Sequence, residues 1–430
     1  MTLSTNFLNK LLLFSLLLLL LSAGQAPAAD APAQVGPLLF SSSQQPGGQR
    51  IAIFPTQNLS GNPAPGREVS LDLASMVEQT GAQLVPDPEL QRFIERHRVR
   101  QMGYIDGQTA ELLRQETGAE AVLLSAIEVF RDEEPPRFAL ITRLVETTSL
   151  PRILWMESVS MVGDQAPGIL GLGIISDMKV LRGRVLDRIG TSLRAHLTNP
   201  PIRKIRPLAS RAREEQAFSI QELIRKMAPV DDTPAPPVAG GGKAMESMFG
   251  RFFIPRYTPQ GWYSAMEPLD KLQRAVAIIP FTNQSTRKNA SELLELHLAK
   301  QLVSEGTFNV VEPGAIRDSM LKMHIVMNDG ISNPNIDAIS TALQIDMLLY
   351  GKVIDFTEST AQAASPLVDF TLQMYERDTR RILWSSRSRN RGDDGVWFYD
   401  VGRVASAAEL ADRMSRAMVL KFSEHATSKP

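Results

Sequence analysis

Apolar positions along the chain follow two periodicities, one typical of strands and one typical of helices. Short runs rich in Val, Ile, Leu and Phe, closed by Pro or Gly, predict strands, whereas apolar residues three or four positions apart predict amphipathic helices. In the first half of the chain, strands are predicted at 51–54, 84–85, 121–130, 138–146 and 152–161, and helices at 69–79, 88–100, 109–117 and 174–197. Because strands and helices alternate early and antiparallel strands cluster late, we expect an α/β (α+β) fold with a mixed sheet covered by helices.

The second half of the chain repeats this order of elements. Strands are predicted at 275–281, 308–312, 346–356, 367–376 and 381–389, and helices at 290–304, 313–323, 335–343 and 405–422. The tetrapeptide Arg-Ile-Leu-Trp at 152–155 returns at 381–384, 229 positions later. A repeated tetrapeptide inside a repeated order of elements indicates a duplication.

Longer blocks support the duplication and set its boundaries. Residues 51–58 match 276–283, and residues 121–130 match 347–356, in the same order along the chain. Solenoid repeats have periods of roughly 20–50 residues, so this much longer spacing indicates two complete domains. We therefore predict two tandem copies of a mixed-sheet, helix-covered sandwich domain, at 49–198 and 272–424, followed by a short tail at 425–430.

The N-terminus has the pattern of a secretory signal peptide, predicted at 1–28 and followed by a flexible leader at 29–48. Its apolar run at 11–21 is shorter than the roughly 20 residues that cross a bilayer, although an uncleaved anchor is the alternative. Ala-Pro-Ala at 26–28 offers a cleavage site. Gly24 stands where a bacterial lipoprotein needs its acylated cysteine. We expect an exported protein of the periplasm or the outer-membrane periphery that is not a lipoprotein.

The segment at 199–271, between the repeats, differs in composition from both. It contains a Pro/Gly-rich part at 229–242 and then a short stretch in which aromatic residues are concentrated. Such rings either dock on a neighbouring domain or form a contact surface for a partner or an oligomer. The candidate protein-contact residues are Phe249, Phe252, Phe253, Tyr257, Trp262 and Tyr263.

Charge and cysteine content narrow the class of partner. The 46 Lys and Arg residues balance 47 Asp and Glu residues, so no net field attracts nucleic acid, and none is expected as a partner. The basic run at 203–213 leaves peripheral membrane contact open. The chain has no cysteine, which excludes disulfides, thiolate metal sites and thiol nucleophiles.

The sequence shows no complete motif for a metal site, a hydrolase nucleophile elbow or a phosphate-binding loop. The five histidines are scattered singly without a His-x-x-x-His pair, and no Gly-x-Ser-x-Gly elbow occurs. Gly-Gly-Gly-Lys at 240–243 lacks the spacing of a phosphate-binding loop. We therefore expect no metal, no cofactor and no enzymatic activity. The enzymatic alternative is an envelope hydrolase that uses an unrecognised carboxylate pair in a cleft.

Several blocks of the second repeat resemble a known family. They are the Ala-Ile-Ile-Pro-Phe-Thr-Asn strand at 277–283, the Gly-Thr-Phe-Asn-Val-Val-Glu stretch at 306–312, the strand at 345–353 and the Ile-Leu-Trp strand at 382–384. Together they resemble the CsgG/TolB N-terminal-domain-like group of bacterial envelope proteins. The resemblance implies small α/β sandwiches without catalytic residues, used for protein contacts and assembly at the envelope.

Two departures from that group argue against a pore. The acylated cysteine is absent, and the segments at 157–173 and 385–401 lack the alternating lipid-facing pattern of barrel strands. The resulting hypothesis is a non-enzymatic envelope assembly or adaptor protein that binds other envelope proteins through its loops and aromatic segment. The alternative is a ring-forming homo-oligomer or a regulatory component of an envelope secretion, flagellar or cell-wall machine.

Overall fold

The computed structural model describes residues 49–164, 174–201, 256–265, 273–326, 331–358, 365–394, 396 and 402–427. All of these residues belong to one compact unit. The predicted signal peptide, the leader, the Pro/Gly-rich part of the linker and the last three residues of the tail lie outside them.

The first repeat forms a mixed sheet in the strand order β3-β1-β4-β5-β6, with the short β2 paired to β4. Strands β3, β1 and β4 run parallel to one another, whereas β5 runs antiparallel to both β4 and β6. The elements in chain order are β1 Arg50–Ile53, β2 Gln57–Asn58, α1 Gly66–Glu78, β3 Gln83–Leu84, α2 Asp87–Arg96, α3 Gly107–Thr117, β4 Ala121–Arg131, β5 Arg137–Glu146, β6 Ile153–Val162 and α4 Met178–Thr198.

The second repeat follows the same plan in the order β10-β8-β11-β12-β13, with β9 paired to β11 and an added strand, β7, at the β13 edge. Its elements are β7 Gly261–Ser264, β8 Arg274–Ile278, β9 Thr282–Asn283, α5 Ala290–Glu305, β10 Phe308–Val310, α6 Pro313–Lys322, α7 Asn333–Ala342, β11 Met347–Thr357, β12 Leu367–Glu376, β13 Ile382–Arg391 and α8 Ala407–Thr427. The predicted fold class is confirmed, and most bounds lie within a few residues of those predicted. The short strands β2, β7 and β9 were not predicted from the sequence, and α8 extends beyond its predicted end.

The duplication extends to individual hydrogen bonds where each sheet meets its closing helix. The N–H of Gly163 donates to the carbonyl of Pro136 at 2.8 Å, and the N–H of Gly392 donates to the carbonyl of Pro366 at 2.9 Å. A Cβ at either glycine would collide with a carbonyl oxygen of the segment that leads into the helix. Glycine is therefore required at both positions, which fixes the correspondence between the repeats.

The two faces of the first sheet are covered by different halves of the chain. One face packs on α1 and α4 through a cluster that includes Leu123, Phe138 and Val185. The opposite face shares a core with α2, α3 and the helices α5 and α8 of the second repeat. Ala139 of β5 and Val129 of β4, for example, cluster with Ala408 of α8. The repeats are therefore joined head to tail, with the sheet of one on the helices of the next.

This arrangement explains why α5 is buried on most of its surface. Ten of its sixteen residues are buried, whereas four of the thirteen residues of the corresponding helix α1 are buried. Helix α5 packs against its own sheet and α8 on one side and against β6 of the first repeat on the other.

The correspondence between α1 and α5 supplies a matched pair of substitutions. Left-handed glycines follow both helices, at Gly81 and Gly306, which aligns Leu71 with Leu296. Leu296 is 1% exposed and Leu71 is 60% exposed. We expect Leu296→Ala to lower the free energy of unfolding by about 2–5 kcal/mol because it leaves a cavity.

Leu71→Ala is the control and should change the free energy of unfolding by no more than about 0.5 kcal/mol, since it removes an exposed side chain. Urea titration followed by circular dichroism measures both variants. Equal losses in the two variants would contradict the packing of α5 between the repeats.

Candidate functional site

Buried charges are concentrated where the two repeats meet. Arg143 of β5 donates two hydrogen bonds to Glu312 of the second repeat, Nη2 to Oε1 at 2.7 Å and Nε to Oε2 at 2.9 Å. The two side chains are 2% and 0% exposed. Burial alone would lower the pKa of Arg143, but the Glu312 carboxylate raises it above its ordinary value. Removing either partner would leave the other charge buried and unpaired, at a cost of about 3–5 kcal/mol.

A second buried group of charges lies between β4, β6, α5 and α8. His297 Nε2 is 2.9 Å from Glu128 Oε1, and His297 Nδ1 is 3.4 Å from Asp412 Oδ1. Lys300 Nζ is 2.9 Å from Asp412 Oδ1 and 3.4 Å from Glu157 Oε1. Burial alone would lower the pKa of His297, but Glu128 and Asp412 raise it to about 9. His297 is therefore a cation at neutral pH, and it ties one carboxylate of the first repeat to another of the second.

A cleft of about 480 Å³ opens beside these charges, with walls from both repeats. Its lining residues are Thr56, Gln57, Arg100, Gln101, Met102, Tyr104, Glu292 and Arg317. Across the cleft, Gln57 Nε2 donates to Glu292 Oε1 at 2.8 Å. The guanidinium of Arg317 lies 3.8 Å from the centre of the Tyr104 ring and donates to Glu295 Oε2 at 2.7 Å. The polar groups that face the cleft therefore also connect the repeats.

Glu295 is the titratable group of this region that can change its protonation near neutral pH. Burial raises the pKa of Glu295 to about 7, against the opposing effect of Arg317. Together with Glu292 it forms the carboxylate pair that a hydrolase would need. The first repeat has Arg67 and Ser70 at the corresponding positions, so the pair is not duplicated.

Three Ser-x-x-Lys spacings occur in the described residues, at 176–179, 285–288 and 319–322. A lysine that activates a serine is normally desolvated, which lowers its pKa. The lysines of all three spacings are exposed, and Asp318 raises the pKa of Lys322. None of the three therefore has the environment of a catalytic lysine.

Part of the predicted aromatic segment lies along the edge of the second sheet. Strand β7 pairs antiparallel with β13, and the ring of Trp262 stacks on that of Trp384 with centroids 5.6 Å apart. Tyr257 is buried and its hydroxyl accepts a hydrogen bond from Arg413 at 3.4 Å. Trp262 and Tyr263 keep 39% and 49% of their surfaces exposed. Phe249, Phe252 and Phe253 lie outside the described residues, and the protein-contact role of the six aromatic residues stays a prediction.

A row of arginines that was not predicted from the sequence lies on one face of the second sheet. The corresponding face of the first sheet is the one that α5 and α8 cover. The side chains of Arg387, Arg389 and Arg391 on β13 are 55%, 59% and 60% exposed. Asp369 of β12 accepts hydrogen bonds from Arg387 at 3.1 and 2.8 Å. The signal in the sequence was an arginine at every second position from 387 to 391, at and just beyond the end of the strand predicted at 381–389, which places all three on one face.

The part of the chain that is described contains no helix long and apolar enough to cross a membrane. The described residues also contain no cluster of three or more His, Asp or Glu side chains that could hold a metal ion.

No protein-family model and no curated protein matches the chain. Among solved structures, the chain is similar to the PelC dodecamer from Paraburkholderia phytofirmans, with 16% identity, a TM-score of 0.25, and 36% of this chain and 96% of that chain covered. It is similar to the lipoprotein GNA1162 from Neisseria meningitidis, with 19% identity, a TM-score of 0.26, and 34% and 98% covered. It is also similar to the LpoB C-terminal domain from Escherichia coli, with 15% identity, a TM-score of 0.21, and 28% and 87% covered.

These similarities do not confirm the resemblance to the CsgG/TolB group. Similarity at these TM-scores assigns neither a family nor a function. The functional argument therefore depends on the surfaces and charges of the chain itself.

The raised pKa of His297 predicts a pH dependence of stability. A group whose folded pKa lies above its unfolded value stabilises the fold below the unfolded pKa, and this contribution is lost as the pH rises through the folded pKa. We expect the contribution of His297 to fall by about 3 kcal/mol between pH 6.5 and pH 9, from a folded pKa of about 9 against 6.5.

Urea unfolding of the wild type and of His297→Gln at intervals across this range measures the effect. The difference in unfolding free energy between the two proteins should shrink as the pH rises. His97→Gln is the control, since it changes a histidine paired with Glu116 near the surface of the first repeat. A constant difference between wild type and His297→Gln would contradict a charged His297.

Proposed function

We propose that the protein is a non-enzymatic assembly or adaptor component of the bacterial envelope that binds another envelope protein at the β7 edge of the second sheet. The observation that carries the proposal is the pair of exposed rings, Trp262 and Tyr263, on this four-residue edge strand. Tryptophan and tyrosine are enriched among the residues that dominate binding energy at protein interfaces. An edge strand can also pair with an extended segment of a partner through its backbone.

The buried charges support a structural rather than a catalytic use of the polar residues. Arg143, Glu312, His297 and Glu128 pair with one another across the two repeats. Glu295, which has the pKa of an acid-base catalyst, is occupied by Arg317. The proposal therefore uses the interior charges to hold the repeats together and the exposed edge to bind the partner.

The second candidate is a ring-forming or regulatory component of an envelope machine. The head-to-tail packing of the repeats favours it, because a contact between two different surfaces can be repeated from one chain to the next. The partner found at the β7 edge distinguishes the two candidates.

A photo-crosslinking amino acid in place of Tyr263 tests the proposal in cells that produce the full chain. We expect a discrete covalent adduct with a different envelope protein, because Tyr263 is half-exposed beside the strand edge. Leu321, which is 73% exposed on α6 of the same repeat, is the matched control position. Adduct yield is measured by immunoblotting and the partner by mass spectrometry.

Two results would contradict the adaptor proposal. One is a pattern of adducts at Tyr263 that does not differ from the pattern at Leu321. The other is adducts of Tyr263 with the same chain alone, which would favour the ring-forming candidate.

A further inference from the structure

The interface inside the chain joins two unlike surfaces. The sheet of the first repeat receives the helices α5 and α8 of the second repeat. The chain therefore also presents one surface of each kind that this interface does not use, the sheet face of the second repeat and the helix pair α1 and α4 of the first. We propose that these two surfaces bind each other between chains, so that the second sheet of one chain receives α1 and α4 of another chain.

The proposal is carried by the residues that occupy corresponding places. Inside the chain, two neutral contacts link the sheet of the first repeat to the α8 region. Ala139 clusters with Ala408, and Ser160 Oγ lies 2.9 Å from Ser406 Oγ. On the sheet side, Ala139 and Ser160 face each other across β5 and β6 in direct register.

The strand registers identify the counterparts of the sheet residues in the second repeat. Leu144 pairs with Trp155 in the first sheet, and Met374 pairs with Trp384 in the second. Ala139 and Ser160 each lie five residues from the first pair, and Asp369 and Arg389 each lie five residues from the second. Asp369 therefore corresponds to Ala139, and Arg389 corresponds to Ser160. Asp369 and Arg389 also pair in direct register, as Ala139 and Ser160 do.

The closing helices provide the other side of the contact. The segments that lead into them are tied to the sheets by equivalent hydrogen bonds, Ile175 N–H to Gly163 O and Val404 N–H to Gly392 O, both at 2.8 Å. This alignment places Lys179 where the second repeat has Ala408, and Asp177 where it has Ser406.

When the contacts made inside the chain are repeated between two chains, oppositely charged residues come together. The contact of Ala139 with Ala408 becomes Asp369 with Lys179, and the contact of Ser160 with Ser406 becomes Arg389 with Asp177. At these two places each surface has one acid and one base, in the order that its counterpart requires, and Asp369, with 6% of its side chain exposed, is also paired with Arg387. Complementary charges of this kind set the register and specificity of an interface.

Leu71 supplies the apolar part of the same surface. It is exposed on α1, whereas its counterpart Leu296 is buried in the core that the two repeats share. An apolar side chain surrounded by charged residues is the usual anatomy of a protein interface. The contact is heterologous, so it produces a ring if the rotation between chains closes and a filament if it does not. This contact between chains involves a sheet face and a helix pair, and it does not require a foreign partner at β7.

The absence of cysteine makes the contact directly testable in the full chain. Lys179→Cys and Arg389→Cys both replace exposed side chains. The two single-cysteine proteins, carrying different tags, are mixed and treated with a short bis-maleimide. We expect covalent dimers that contain one chain of each kind, because Lys179 of one chain lies beside the Asp369 and Arg389 face of the other.

Controls separate this contact from random collision and from a symmetric dimer. Lys179→Cys mixed with Leu321→Cys should give no more dimer than either protein alone. Dimers formed by Lys179→Cys alone, or equal yields with Arg389→Cys and Leu321→Cys, would overturn the proposal.

Charge reversal provides a second readout that does not depend on crosslinking. Lys179→Glu places an acid opposite Asp369, so we expect self-association measured by sedimentation velocity to weaken at least tenfold. Lys322→Glu on α6 is the matched control and should leave self-association unchanged. Equal effects of the two variants, or a monomer at every concentration of the wild type, would also overturn the proposal. An adduct of Tyr263 with a foreign protein stands or falls separately from these results.

Discussion

The bidentate ion pair between Arg143 and Glu312 is the constraint on which the joining of the repeats depends. Neither side chain has access to water, so each needs the other to offset the cost of its burial. Arg143 belongs to the first repeat and Glu312 to the second, which ties the two cores to a single geometry. The backbone follows the same seam, where Glu312 N–H donates to the carbonyl of Pro151 at 2.9 Å. A chain with this pair cannot keep one repeat folded and move the other away without exposing a buried charge.

The sequence predicted the elements well because both repeats obey simple periodicities. Strand β12 has the predicted bounds, 367–376, and α5 differs from its predicted end by one residue. Local patterns could not predict the partner of each face. The burial of ten of the sixteen residues of α5 requires a cover on more than one side, but the pattern does not identify the first sheet as that cover. Strand β7 was missed because its four residues are rich in aromatics and lack a clear alternation.

The candidate site was harder to predict than the fold for the same reason. Glu128, His297 and Asp412 are far apart in the sequence and carry no motif, so only the packing of two repeats brings them together. The histidines looked like isolated residues, and His297 proved to be central to a network of charges. The aromatic segment was visible from composition, whereas the exposed arginines of β13 required knowledge of which sheet face is covered.

The head-to-tail packing also has a consequence for the order in which the chain can fold. One face of the first sheet is completed by α5, which begins roughly 130 residues after β6 ends. The first repeat therefore lacks the helix that covers this face until the second repeat folds against it. During that time it exposes an apolar sheet surface and the unpaired guanidinium of Arg143. This surface is buried and this charge is paired only when the second repeat packs against the first.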